Sequence, residues 1–270
     1  MVDRLAEIET YYDAVPRSAA HAEVIGPFTL FVNQGPGWSY YARPSLAASR
    51  FTKAHVERVR VRQRSLGIPE AFEWVAETTP HLEDAAERAG LVVQRFPLLL
   101  LGEVRPVEAA GVQVRLANVA DDLALFDAIA HVAFDNAGTQ IGVPGLEDAR
   151  LSVQADSSAM AFQRERLRSE RTITAVAFVD DQPVGIGSHQ PVGSVTEVVG
   201  VGVLPAFRRQ GIGAALTSRL VADAVQRGQR TIFLSAGDAT IARVYERVGF
   251  ERIGTACSAE PVAPGADLGH

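Results

Sequence analysis

Cysteine and lysine are almost missing from this chain of 270 residues: Cys257 is its one thiol and Lys53 its one lysine. A single cysteine excludes an internal disulfide framework and any zinc site built from several thiolates. Arginine carries the rest of the fixed positive charge, which we read as a mark of genomic base composition, not of function. Long apolar runs are lacking too. The longest, Phe96–Leu101, falls far short of the ~18 residues a membrane span needs. The N-terminus carries acids where a secretory signal would carry bases and an apolar stretch. There is no basic excess either: 26 basic against 32 acidic residues leave a net charge of −6, without the charge footprint of a nucleic-acid binder. What remains, 47% hydrophobic and 21% charged residues, is ordinary globular composition. The expectation is a soluble cytoplasmic protein of one large domain or two ordinary ones.

The second half alternates in type. Val112–Ala117 reads as a strand, and Asp121–Phe134 as a helix with Leu125, Ile129, Val132 and Ala133 on one face. A loop rich in Gly and Pro spans Asp135–Ser157, followed by a helix over Ser158–Ser169. Thr172–Val179 and Val184–His189 form a hairpin around Asp180–Pro183, and Thr196–Leu204 is a further strand interrupted by Gly200 and Gly202. Gly211–Arg227 is helical and stops at Gly228; strand Thr231–Leu234, helix Ala239–Val248 and strand Phe250–Cys257 complete the series. The fold class is α+β, a mixed and mostly antiparallel sheet flanked by helices. In the first half, helix Thr52–Ser65, strand Ala71–Ala76, helix Leu82–Ala89, Gly90 and strand Leu91–Leu101 echo the order that follows Gly211. Ala86–Leu91 also lies over Tyr245–Phe250 with three identities in six positions. This points to a degenerate duplication, with domains at 1–105 and 110–258, a linker near Gly102–Gly111 and a tail at 259–270.

The stretch that carries chemistry runs from Val199 to Ala214. The strand Val199-Gly-Val-Gly-Val-Leu-Pro205 enters a turn containing Arg208, Arg209, Gly211 and Gly213, and a helix opens at once. Glycines let the backbone approach an anion, converging N–H groups and the helix N-terminus supply about half a positive charge, and the arginines add forked donors. A diphosphate suits such a site. A Walker A loop is excluded because no lysine stands here. The dinucleotide fingerprint fails as well, since Leu216 occupies the place of its third glycine and the surrounding parallel unit is absent.

The remaining pattern, Arg-x-x-Gly-x-Gly over Arg208–Gly213, resembles the coenzyme A pyrophosphate loop of the GNAT acyltransferase superfamily. Asp238–Phe250, with Tyr245-Glu-Arg-Val-Gly-Phe250, resembles that family's later helix and strand ending in Tyr-Glu-x-x-Gly-Phe. The resemblance covers about Val112–Cys257. It implies the GNAT-type sheet, whose fourth and fifth strands splay apart around acetyl-CoA, here preceded by a partial GNAT-like N-terminal domain. Acetyl-CoA as cosubstrate and no metal follow from it. One departure is that the family's usual asparagine is replaced by Ala239, with Asp238 or Ser235 as nearby substitutes.

The resemblance assigns the diphosphate to Arg208, Arg209, Gln210, Gly211, Ile212, Gly213 and Ala214. It assigns the pantetheine arm to the backbone of Val201, Gly202 and Val203, an arm adding to a strand edge as a peptide does. Strand alternation places Glu197, Val199, Val201 and Val203 on one face and Gly200 and Gly202 on the other, where glycines indicate a bulge or a close approach. The spacing of Glu197 to the loop equals that of the general-base glutamate in histone-acetylating members. Such a base has work to do, because freeing an amine of pKa near 10.4 at pH 7 costs about 4.6 kcal/mol. On its own surroundings Glu197 is either that base or a strand-edge acid paired with an arginine. Tyr245 holds the family's general-acid position, protonating the leaving thiolate; the other reading is a helix tyrosine packed on the sheet. His189 and Ser235 are candidate substrate contacts, His189 reading otherwise as a solvated strand-end residue. His131 reads as structural and Trp74 as core, while Trp38, Tyr40 and Tyr41 are candidate walls of an acceptor cleft. The loop Asp135–Ser157 would be an acceptor-side lid. In the N-terminal copy Ala86 stands for Tyr245 and no phosphate loop occurs near Arg43–Arg50, so it reads as a scaffold. The expected function is N-acetyl transfer from acetyl-CoA to a primary amine in a ternary complex. The alternative is a catalytically silent acyl-CoA-binding or regulatory protein. Expected partners are a small-molecule or peptide amine, with neither nucleic acid nor membrane; acceptor identity and oligomeric state are not legible.

Overall fold

A computed structural model describes residues 4–36, 41–154 and 156–262; Trp38, Tyr40 and residues 263–270 of the expected tail lie outside them. The chain divides into two compact units, one of Met1–Phe96 with Gly254–His270, the other Pro97–Ile253.

The first unit contains α1 (Arg4–Ala14), β1 (Ala20–Ile25), β2 (Phe28–Asn33), β3 (Ala42–Pro44), α2 (Lys53–Leu66), β4 (Phe72–Val75) and α3 (Leu82–Arg88). It also holds the start of β5 (Leu91–Leu101). Its strands run in the order β1-β2-β3-β4, with the end of the last strand beside β4. Thr52 caps α2 by accepting from the His55 N–H, and Gly67 ends that helix at φ 67°, the left-handed conformation that favours glycine. The core gathers Phe28, Leu30, Val56, Val59, Phe72 and Trp74, which places Trp74 in packing. Beside it the buried Arg43 guanidinium lies 4.0 Å from the Tyr12 ring centroid and pairs with Glu9 at 3.3 Å. The elements before residue 51 went unread from sequence; α1 buries only Ile8, Tyr11 and Tyr12, a periodicity too thin to see.

The second unit continues with β6 (Val112–Leu116), α4 (Leu123–Asp135), α5 (Leu146–Ser152), α6 (Ser157–Arg168), β7 (Ile173–Val179), β8 (Gln182–Val192) and β9 (Val195–Val203). It ends with α7 (Ile212–Gln226), β10 (Thr231–Ser235), α8 (Ala239–Glu246) and the start of β11 (Phe250–Pro261). Strand order is β5-β10-β9-β8-β7-β6, with β9–β10 parallel and the other pairs antiparallel. The β7–β8 turn places Asp180 and Asp181 at φ 48° and 60°, the paired positive angles of a tight hairpin whose twist matches its strands. The main core sets Leu216, Leu220, Val221 and Ala224 of α7, with Ala242 and Tyr245 of α8, against Ala175, Val184, Val198, Ile232 and Leu234 of the sheet. Helix α4 packs with α5 through Ile129, Val132, Leu146 and Ala149, and with α6 through Phe126 and Met160. Sequence reading took Asp135–Ser157 as one loop. The structure corrects this: α5 forms inside it, anchored by Leu146 and Ala149 and started by the Asp148 carboxylate accepting from the Gly145 N–H at 2.8 Å. The last strand also runs three residues into the expected tail, to Pro261.

Candidate functional site

The site begins where two parallel strands part. Pairing between β9 and β10 covers Val195–Glu197 against Thr231–Phe233 and stops there. Beyond Glu197 the β10-facing edge of β9 has no strand partner among the described residues. The cavity so opened has a volume of about 770 Å³. Its lining includes Glu197 and Val198–Val203 of β9, Phe134 of α4, the turn before α7, Ser235, and Tyr245 of α8.

A bulge changes which β9 side chains share a face. Against β8, Ser188 pairs with Val199 and Ile186 with Gly202, so Gly200 and Val201 together oppose Gly187. Gly200 takes φ 64° to make this step. Before the bulge, Thr196 and Val198 face α7, which leaves Glu197 and Val199 on the α4 side. After it the phase flips. A Cβ on Gly187 would touch Val201 and Leu220 of α7, whereas a Cβ on Gly202 would lie 2.9 Å from Ala133 of α4. Strict alternation had put Glu197 on the face of Val201 and Val203; the structure sets them on opposite faces, and Glu197 shares its side with Gly202.

The turn before α7 leaves the helix N-terminus without a side-chain cap. Gly211, at φ 81°, is the N-cap and no side chain caps the helix. The first α-helical bond is donated by Ala215 to Gly211, so the N–H groups of Ile212, Gly213 and Ala214 precede the ladder and have no carbonyl within the helix. Arg209 is exposed and holds φ 66°, a left-handed conformation costing a non-glycine residue roughly 1–2 kcal/mol. Strain of this kind persists where the surroundings impose it, commonly at ligand sites. Arg209 lines the cavity with Arg243 and Arg247, and none of the three has an ion-pair partner among the described residues. Arg243 and Arg247 escaped sequence reading; the signal was present as two solvent-side positions of the Tyr245 helix. Gln210 is exposed and absent from the lining.

Arg208 does something other than offer countercharge. Its guanidinium donates to the carbonyls of Val203 at 3.1 Å, Ala133 at 3.0 Å, Asn136 at 2.6 Å and Gln140 at 3.3 Å. It thereby closes the C-terminal end of α4, where helix carbonyls lack partners, and ties the following segment to the end of β9. Burial lowers its pKa from the ordinary arginine value. The same segment is fixed by Gly142 N–H donating to Pro205 and Ala206 N–H to Pro144.

Tyr245 is 8% exposed, stands edge-on to Phe250 with centroids 6.3 Å apart, and takes no hydrogen-bond partner among the described residues. Burial pushes its phenol up to about 12, so it stays neutral. Asp238 caps α8 by accepting from the Ile241 N–H at 2.7 Å. That commits one oxygen of the proposed substitute for the missing asparagine. Ser235, exposed at the end of β10, lines the cavity.

His189 is not at the site, and it is not solvated either. It is fully buried, bonded through Nδ1 to Thr196 Oγ1 at 2.9 Å and through Nε2 to Asp223 of α7 at 3.0 Å. Asp223 also accepts from Arg227 at 2.5 Å. Burial lowers the His189 pKa against the pull of Asp223. The side chain points to α7 because it lies opposite Val198 on β8, one residue out of phase with the cavity face. His131, read as structural, is exposed, with Nδ1 beside the Asp127 carbonyl. No group of residues suited to a metal ion occurs among the described residues, and no helix among them is long and apolar enough to cross a membrane.

Residues 146–250 match the model of the acetyltransferase (GNAT) family. Among solved structures, the chain is similar to a GCN5-related N-acetyltransferase from Kribbella flavida, 23% identical with a TM-score of 0.74 over 98% of each chain. It is also similar to a GCN5-related N-acetyltransferase-like protein from Streptococcus suis, 12% identical with a TM-score of 0.56 over 96% of this chain and 99% of that one. A tandem GNAT protein from the clavulanic acid biosynthesis pathway is 14% identical, with a TM-score of 0.53 over 88% of this chain and 79% of that one. No curated protein matches the sequence.

Proposed function

We propose that this chain, whose residues 146–250 match the GNAT family model, transfers an acetyl group from acetyl-CoA to a primary amine. The observation that carries the reading is the forked cavity, where the uncapped N-terminus of α7, the open edge of β9, Glu197 and Tyr245 line one space. The residues present suit the cosubstrate. The Ile212, Gly213 and Ala214 amides with Arg209 would hold the diphosphate, and the Val201–Val203 backbone would hold the pantetheine arm. At Val203 the carbonyl is already taken by Arg208, so that residue has only its N–H to offer.

Bound acetyl-CoA supplies the thioester. Glu197 removes a proton from the amine, directly or through water; the N–C bond forms as the C–S bond breaks. A β9 N–H polarises the carbonyl, and Tyr245 donates to the departing sulfur. The products are an acetamide and the CoA thiol. The N-terminal unit, with Ala86 where the catalytic unit has Tyr245, acts as a scaffold and not as a second centre. A silent acyl-CoA binder is the other reading; it has no use for Glu197 and Tyr245 together.

Thermal unfolding with acetyl-CoA, CoA and ATP tests the reading. At a hundredfold excess over Kd a true ligand adds about 2.7 kcal/mol, which is roughly 5–10 °C for a unit of this size. A shift with both CoA species and none with ATP is expected, and no shift with acetyl-CoA sinks the proposal. Arg209→Gly refines it. Release from φ 66° should raise the midpoint of the free protein by roughly 2–8 °C at about 1–2 kcal/mol, while the lost charge weakens acetyl-CoA binding several-fold. If binding is unchanged in low salt, Arg209 is not a phosphate contact.

A further inference from the structure

We infer that the cavity given above to acetyl-CoA is built by both halves of the sequence. Residues 97–105, which follow the N-terminal elements, are a positioning segment of the catalytic unit, and the C-terminal half returns residues 254–261 to the first unit. The inference rests on the acetyl-transfer reading for what the segment serves, and on strand pairing alone for how the units are assembled.

Reciprocal pairing is the first ground. The sequence divides at its linker near Gly102–Gly111, whereas the second unit already begins at Pro97, inside β5, and the first unit takes the chain back from Gly254, inside β11. Each unit contains one parallel pair, β9–β10 in the second and β3–β4 in the first. Each pair is extended by an antiparallel strand from the other half of the sequence, β5 on β10 and β11 on β4. Both added strands carry core residues: Leu98, Leu99 and Ala259 are fully buried, and Cys257 is 2% exposed. Joining two strand-exchanged copies end to end would leave this pattern.

The second ground is what residues 97–105 touch. Directly paired residues of neighbouring strands share a face of the sheet. Glu197 pairs with Phe233 and Phe233 with Leu100, so the last rung of the fork continues across β10 onto β5. Two residues on, Ser235, which lines the cavity, pairs with Leu98. On the opposite face Leu99 belongs to the core that holds Leu216 of α7 and Tyr245 of α8. Beyond β5, the Gly102 N–H donates to the Gly249 carbonyl and the Arg105 N–H to the Val248 carbonyl, both at 2.9 Å. Those carbonyls close the turn that follows Tyr245. The segment therefore backs β10 behind Glu197 and fixes the end of the helix that carries Tyr245, the two residues proposed for catalysis. A chain starting at residue 110 would lack all of these contacts and leave the far edge of β10 unpaired.

The test cuts the folded full chain at a protease site inserted between Ala110 and Gly111, exposed residues of the turn before β6. The two fragments should elute as one species without denaturant, and the cut protein should keep the acetyl-CoA thermal shift of the intact chain. Fragments that separate, or a released C-terminal fragment that shows the shift by itself, overturn the inference. Positioning is read in the uncut chain, well below its unfolding midpoint. Leu98→Ala should lower kcat by about tenfold or more with the acetyl-CoA KM within about twofold, and Leu98→Met, which keeps the volume, should restore it. Leu82→Ala empties an equally buried site in the first unit; it should lower the midpoint and leave kcat within about twofold. Unchanged kcat in Leu98→Ala, or an equal loss in Leu82→Ala, overturns the positioning role. Co-elution needs no ligand, so an intact chain that does not respond to acetyl-CoA overturns the acetyl-transfer reading and the positioning role, while elution still decides the assembly.

Discussion

Replacing Glu197 with glutamine should cut kcat/KM at pH 7 by about 10²–10³-fold, the range of a positioned general base, and the loss should shrink as pH rises. The reason lies in the acceptor. An amine of pKa near 10.4 is almost wholly protonated at pH 7, and bringing it to the thioester as free base costs about 4.6 kcal/mol. Glu197 occupies the last rung of the β9–β10 ladder, opposite Phe233, so its backbone is fixed by pairing while its side chain reaches the opening fork. Glutamine keeps the size and the strand but cannot take the proton. Above about pH 10.4 most of the amine arrives unprotonated and the variant should approach wild type within about tenfold. The measurement is the pH profile of kcat/KM for both proteins with one alkyl amine. A ratio that stays constant from pH 7 to pH 10 would show that Glu197 does not accept the proton. Proton removal would then fall to water, because His189 lies buried against α7 with both ring nitrogens engaged.

Much of this site was legible because its signals are local in sequence. Two glycines spaced before an apolar helix, and Tyr245 four residues before Gly249, depend on backbone geometry that few other residues provide. Gly249 sits at φ 108°, and a Cβ there would fall 1.8 Å from the Glu103 carbonyl oxygen. What stayed hidden needed distant contacts. The sequence offers Arg208 and Arg209 as a matched pair. Only the fold shows that α4 ends within reach of one, which turns Arg208 into a helix-end tie and leaves Arg209 at the cavity. The bulge at Gly200 was foreseen as a kind of event, yet its effect on phase depends on the register against Gly187. His189 failed for a related reason: a strand-end histidine is exposed only if the strand ends there, and β8 continues to Val192.

Tyr245→Phe should lower kcat by about 10–10²-fold while leaving the acetyl-CoA Kd within about twofold. The substitution removes one oxygen and keeps the ring that packs on Phe250. How the hydroxyl acts follows from its burial. With its pKa pushed up to about 12, the phenol is neutral throughout the working range. Complete transfer of its proton to a thiolate whose acid is near 8.5 would be uphill by about 4.8 kcal/mol. In the proposed reaction Tyr245 would therefore serve as a hydrogen-bond donor to sulfur while charge accumulates there, the thiol proton being completed from solvent. The same burial makes a prediction without substrate. A pKa raised from 10.0 in the unfolded chain to about 12 in the fold gives stability that is whole below pH 10 and declines as pH climbs toward 12. At pH 11 the loss is about 1.4 kcal/mol, roughly 3–5 °C of midpoint. Phenylalanine has no proton to lose, so the variant should close on or overtake wild type by that margin between pH 9 and pH 11. Equal turnover in the variant removes Tyr245 from the chemistry, and a parallel fall in acetyl-CoA affinity makes it a packing residue of the cofactor wall.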